Sequence, residues 1–170
     1  MKTFFFLGFG TMLFILAGVL TISFWYDFTN NCEDYLKLAG DAPTVEKANE
    51  FLGKALGFLE NNGLTSGNSA FFFKKPDADI GIWYNQIKGA YSTTQDILER
   101  MRNSASPVSQ LEKDNALMKI REVVLDAGKN GVEVTVPAHI SWFPHQLLML
   151  FLWTLSVGFI IFGFAILIEW

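Results

Sequence analysis

FFFLGFGTMLFILAGVLTISFWY, residues 4–26, and QLLMLFLWTLSVGFIIFGFAILI, residues 146–168, decide the fold of this chain, because neither run contains a Lys, Arg, His, Asp or Glu. The hydrocarbon core of a bilayer is about 30 Å thick and a helix rises about 1.5 Å per residue, so roughly 20 apolar residues suffice to cross it. Each run reaches that length. The reading is one transmembrane helix over residues 3–26 and a second over residues 146–168.

Outward from these runs the composition changes sharply. The whole chain is 51% hydrophobic and 18% charged, which suits an ordinary globular domain, yet 12 of its 13 Lys and Arg and 16 of its 17 Asp and Glu lie between the two runs. The averages conceal two apolar ends and a charged centre. A cleaved signal peptide, with Lys2 as its charged start, is the other reading of the first run. That run is longer than the usual 7 to about 15 apolar residues and closes without a small-x-small cleavage site, so a signal anchor fits better. Leu16-Ala17-Gly18 is followed by Val19, and the single cysteine, Cys32, comes later, so lipidation is not expected.

The positive start places both termini in the cytoplasm and the centre outside, in the periplasm if the cell is bacterial; a long intervening segment carries no vote under the positive-inside rule. About two residues precede the first helix and two follow the second, so no cytoplasmic domain is expected, and a signal sensed outside would have to pass through a partner. Trp25 and Tyr26 close the first run as Trp142 and Phe143 open the second. These pairs mark one membrane interface, with Trp170 and Phe4 to Phe6 near the other.

The centre reads as an antiparallel bundle of about four helices over residues 27–131, followed by an extended juxtamembrane segment over residues 132–145. Phe28, Cys32, Tyr35, Leu36 and Ala39 recur at helical spacing, and Gly40 ends that stripe. Asp41-Ala42-Pro43-Thr44 is a start signal for a second helix with Val45, Ala48, Leu52, Ala55, Leu56 and Leu59 on one face; Asn61-Asn62-Gly63 stops it. Residues 64–79 show neither period and form a long loop. Ile80, Trp83, Tyr84, Ile87, Tyr91, Thr94, Ile97, Leu98 and Met101 line a third helix, which breaks at Ser104-Ala105-Ser106-Pro107. A fourth carries Leu117, Ile120, Val124 and Ala127, with Leu111, Met118 and Leu125 beside them. After Asn130-Gly131, the alternation Val132-Glu133-Val134-Thr135-Val136 suits an extended stretch that Pro137 closes. The fold class is therefore an all-α membrane protein: two terminal transmembrane helices flanking an extracytoplasmic bundle.

Chemistry is sparse. His139 and His145 are the only histidines, whereas a catalytic zinc takes three protein ligands and a nucleophilic triad needs a histidine beside its Ser or Cys. Cys32 falls on an apolar stripe, where a free thiol packs as a small hydrophobe. Gly8-Phe9-Gly10 and the glycines at 158 and 163 lie inside the apolar helices, so they form no phosphate loop. The expectation is no enzyme activity, no catalytic residue, no cofactor and no metal. The centre's 12 basic against 16 acidic residues, interspersed, exclude the electrostatic footprint of nucleic-acid binding. Membrane helices without ionisable side chains also disfavour an autonomous transporter or pump.

Two constellations remain. Ala17 and Thr21, with Thr154 and Gly158, form small-x-x-x-small pairs at similar depth and are candidates for helix–helix contact. Phe71-Phe72-Phe73-Lys74-Lys75 cannot bury every ring from a regular element. With Trp83 and Tyr84 it is the candidate surface for a partner or ligand; a loop folded over the bundle end with two or more rings buried is the plainer alternative.

The stretch from Cys32 to Tyr91, with Asp-Ala-Pro-Thr-Val-Glu at 41–46, Gly63-Leu64-Thr65-Ser66-Gly67 and Asp79-Ile80-Gly81-Ile82-Trp83-Tyr84, resembles a pattern in a family of small uncharacterised microbial two-helix membrane proteins. The resemblance covers about a third of the chain and implies no activity. The functional expectation is a non-enzymatic accessory or structural subunit of a membrane complex, whose partners are the bilayer and other membrane subunits or copies of itself. The alternatives are a tethered periplasmic domain that senses or delivers a ligand, and a self-associating membrane scaffold.

Overall fold

The computed structural model describes residues 2–103, 108–128 and 131–168. The expected break at Ser104–Pro107, Asn130 and the anchor Trp170 lie outside the described residues. The chain divides into two compact units, one from Met1–Asp27 with Ser141–Trp170 and the other from Phe28–Ile140.

The first unit pairs α1 (Lys2–Phe28) up to Asp27 with α6 (Gln146–Ile168), and both helices are long and apolar enough to span a membrane. They run antiparallel: Phe6 meets Phe159 and Phe162, Phe14 meets Trp153, and Phe24 stacks on His145 at 5.9 Å between ring centroids. Several of their hydroxyls donate to backbone carbonyls of their own helix, the arrangement that a hydrocarbon surrounding would favour. Thr11 donates to the Gly8 carbonyl at 2.9 Å, Thr21 to Ala17 at 2.8 Å, and Ser156 to Trp153 at 2.8 Å.

The second unit is a helical bundle. Beyond Phe28 the helix continues through one π-helical turn (Thr29–Glu33) into α2 (Asp34–Gly40). A π turn carries more residues than an α turn. It therefore keeps Phe28, Cys32 and Leu36, each four residues from the last, on one buried face. Thr44 caps α3 (Val45–Asn61) by accepting from the Lys47 amide at 3.3 Å, and α3 buries the six residues that its periodicity marks, Val45 through Leu59. Next come α4 (Ile80–Asn103) and α5 (Gln110–Val124), the latter capped by Ser109, which accepts from the Glu112 amide at 3.2 Å. Helix α3 packs against α2 and α4, and α5 against α2 and α4. Arg100 on α4 pairs with Asp96 on its own helix at 3.1 Å and with Glu112 on α5. Thr94, fully buried, lies within hydrogen-bond distance of Asn49 Oδ1 on α3 at 2.9 Å and of its own helix's Tyr91 carbonyl at 2.7 Å.

One expectation is corrected here. The fourth helix stops at Val124: residues Leu125–Gly128 form β1, which pairs antiparallel with β2 (Gly131–Val134), so the unit is not purely helical. Leu125 enters the core as a strand residue, while Leu111 and Met118 are exposed. The expected extended stretch begins as β2, and residues 132–140 fall within this compact unit. Pairing of β2 with β1 and the donation of the Thr135 amide to the Val124 carbonyl at 2.9 Å hold them there.

Candidate interaction surfaces

The small-residue pairs separate once the helices are built. Ala17 is fully buried, and Thr21 Oγ1 accepts from Trp153 Nε1 at 3.3 Å, so both α1 candidates face α6. On α6 the contact face is Met149, Ser156 and Gly163, at a spacing of seven, and not Thr154 and Gly158. At about 100° per residue, Ser156 lies some 200° around the helix from both Thr154 and Gly158. The expected crossing at those two residues is therefore corrected. Gly10 and Gly163 are the positions where the backbones approach: an added Cβ at Gly10 would sit 2.9 Å from Ile160 Cγ1, and one at Gly163 would sit 2.8 Å from Leu7 Cγ. Their signal in the sequence is the period of seven between Gly10 and Ala17 and between Ser156 and Gly163.

Thr154 and Gly158 instead floor an apolar groove of about 500 Å³ walled by Phe6, Phe151, Leu155, Phe159 and Phe162. A Cβ on Gly158 would meet nothing within 4 Å. The Thr154 hydroxyl is turned back to its own helix, 2.9 Å from the Leu150 carbonyl, which leaves the floor without a free donor.

The loop between α3 and α4 is a closed finger. At its base Ser69 N donates to Ala78 O at 2.9 Å and Ile80 N to Gly67 O at 3.0 Å. Inside it Asn68 Nδ2 donates to the Lys75 carbonyl at 2.9 Å while Asn68 Oδ1 accepts from Ala70 N at 3.1 Å. Gly67, at φ 112°, takes a backbone conformation that only glycine adopts readily. The tip carries Phe71 to Lys75. Phe71 is half-buried, edge-on to His139 at 5.2 Å, whereas Phe72 and Phe73 are 78% and 81% exposed and Lys74 and Lys75 are exposed.

Trp83 and Tyr84 do not share that surface; both are core residues of α4. Trp83 is 5% exposed and its Nε1 donates to the Thr135 carbonyl at 2.6 Å. The Tyr84 hydroxyl donates to Glu60 Oε1 at 2.7 Å and accepts from Lys88 Nζ at 3.3 Å. The i, i+3, i+4 stripe that included them in a helix face is the stronger signal, and it overrides their grouping with the loop aromatics. Trp83 instead helps to line a cleft of about 390 Å³ with Ile82, Gln86, Asp79 and residues 135–138.

The anchor candidates Trp25 and Tyr26 are exposed on α1, one and two residues beyond the level of the Phe24–His145 stack, and Trp142 and Phe143 lie just before His145. Both pairs are thus at one end of the helix pair. His139 has a positive φ of 59°, a conformation that suits histidine better than branched residues.

Cys32 is wholly enclosed, and burial, followed by the neighbouring Glu33 charge, pushes its thiol well above the usual range. In the folded protein it is expected to resist iodoacetamide at pH 8 for as long as a urea-unfolded control takes to react fully. Equal rates in the two samples would show that the bundle opens at the π-helical turn that carries Cys32. Comparison with protein-family models, with curated proteins and with solved structures gave no match.

Proposed function

We propose that this chain is a two-pass membrane protein with both termini cytoplasmic and its bundle outside, acting as a non-enzymatic accessory or structural subunit of a membrane complex. The observation that carries the reading is the groove over Thr154 and Gly158. The two apolar helices use Gly10, Ala17, Ser156 and Gly163 for each other, which leaves a second small-residue face of α6 open between phenylalanine walls. In a bilayer no hydrophobic drive brings helices together, so close backbone approach at small residues is a main source of association. A helix from another subunit fits that face.

The test is purification of the full chain from native membranes in mild detergent, with identification of co-purifying chains. Gly158→Leu is expected to lower recovery of a stoichiometric partner at least tenfold, the equivalent of about 1.4 kcal/mol. Val157→Leu, on another exposed face of α6, should leave recovery unchanged. Recovery equal in the two variants overturns the docking face.

A second reading, a tethered domain that senses or delivers a ligand, is favoured by the cleft beside Trp83. It predicts a monomer that retains a small molecule there. A homogeneous ring of one chain would instead favour a self-associating scaffold.

A further inference from the structure

We propose that the tip of the α3–α4 finger is a membrane-surface anchor, with Phe72 and Phe73 inserted at the interface and Lys74 and Lys75 on anionic headgroups. The inference rests on the reading that α6 spans a bilayer.

Three observations converge on a lipid surface. The first is exposure by design: the finger's backbone is closed at its base and pinned inside by Asn68, so Phe72 and Phe73 are held outward, not left over from a poorly packed loop. Two adjacent exposed phenylalanines are among the least water-tolerant groups a surface can present. The second is covalent reach. Phe71 rests on His139, which precedes Gln146, the first residue of α6, by seven positions. A fully extended chain spans at most about 3.6 Å per residue, so His139 lies no farther than about 25 Å from the start of α6 however the intervening residues run. That covalent limit is what permits the tip to reach the surface that α6 would enter. The third is charge. Lys74 and Lys75 follow the rings directly, in a chain whose net charge is −4. A pair of ammonium groups beside inserted rings matches the polar-face chemistry of interfacial anchors. Two carboxylates lie close by in the chain: Asp79 accepts from the Ile82 amide at 3.0 Å as a cap of α4, and Asp77 sits on the short 3-10 turn Pro76–Ala78, so the two lysines and not the finger's net charge carry the attraction.

A protein partner would need a complementary apolar socket with acidic rim, and nothing else on the finger specifies one. Anionic lipid needs only the pattern present.

The experiment uses the full chain in nanodiscs, with Cys32→Ala as background and an environment-sensitive fluorophore on one introduced cysteine. Phe73→Cys reports the finger, Val157→Cys reports α6, and Glu99→Cys reports a bundle site about 28 Å along α4 from Ile80. With brominated acyl chains as quencher and 30% phosphatidylglycerol, the labels at 73 and 157 are expected to be quenched and the label at 99 not. Each lysine at an anionic surface is worth about fivefold in partitioning, so adding Lys74→Glu and Lys75→Glu, which also brings repulsion, should lower the partition constant of the tip by at least about 25-fold. Replacing phosphatidylglycerol by phosphatidylcholine should likewise weaken quenching at 73 alone. Quenching at 157 with none at 73 overturns the anchor and leaves the membrane reading standing. No quenching at 157 overturns the membrane reading itself. Quenching at 73 that ignores both charge reversal and lipid charge overturns the role of the lysines.

Discussion

Replacing Gly40 by leucine is expected to destabilise the bundle by more than about 3 kcal/mol, against a helix-propensity gain of only about 1 kcal/mol. Gly40 is the last residue of α2, and the Cβ of even an alanine there would lie 2.5 Å from Leu125 Cδ1, 2.7 Å from Leu125 Cγ and 2.9 Å from Val124 Cγ2. Val124 and Leu125 are both buried where α5 turns into β1, so their side chains have little room to move aside. Gly57, inside α3, has nothing within 4 Å of an added Cβ. Gly57→Ala should therefore stabilise by about 0.5–1 kcal/mol, the opposite sign, from backbone entropy alone. Heat-induced exposure of Cys32, followed by thiol labelling, reports this unit without reporting the apolar pair. At about 4–8 °C per kcal/mol for a domain of this size, the leucine variant should expose the thiol at least 12 °C below wild type. Gly40→Ala combined with Leu125→Ala should recover part of the loss of the single alanine variant, since the two side chains compete for one space. If Gly40→Leu and Gly57→Ala both stabilise, the α2–β1 packing described here is wrong.

How far the sequence reaches is visible at Gly40 and its neighbours. The stripe of α3 was readable because six apolar residues repeat at helical spacing between a Thr44 cap and an Asn-Asn-Gly stop; local rules and tertiary burial agree there. At Val123-Val124-Leu125 they disagree. Helical periodicity continues through Leu125, so the segment reads as helix, but the β-branched pair followed by Gly128 and Asn130-Gly131 is also a hairpin signal. The strand partner of residues 131–134 was hidden by assigning its residues to the preceding helix. Phe71-Phe72-Phe73 was legible only as an anomaly: no local pattern says which ring packs, and that choice is made by His139, 68 residues along the chain. The small-residue pairs show a subtler loss. Small residues on an apolar helix announce close approach but not to what, and the seven-residue spacing that selects Ser156 and Gly163 over Thr154 and Gly158 takes meaning only with α1 alongside.

Truncating Trp83 to alanine is expected to cost about 3–5 kcal/mol, the range for a buried aromatic. Its ring is nearly enclosed at the start of α4, and its Nε1 reaches the Thr135 carbonyl, a hydrogen bond that joins residues 52 positions apart. A buried indole is tolerated because that N–H has a partner. Trp83→Phe keeps most of the apolar contact and loses the bond, so it should cost about 1 kcal/mol, since the Thr135 carbonyl belongs to an exposed residue and water can replace the indole. The two variants therefore separate packing from hydrogen bonding. They should also act locally. The segment after β2 is held by Trp83 and by the Thr135 amide on the Val124 carbonyl, so amide exchange at Thr135 should quicken about 100-fold or more in the alanine variant and less than about tenfold in the phenylalanine variant. Because His139 in that segment carries the Phe71 edge, loosening it should also free the finger tip, and a fluorophore at residue 73 should become more mobile in detergent. If Trp83→Ala changes stability by less than about 1 kcal/mol and leaves exchange at Thr135 untouched, the indole is not what fastens this segment. The cleft it lines with Ile82 and Gln86 would then be better read as a binding site than as the seam of a packed core.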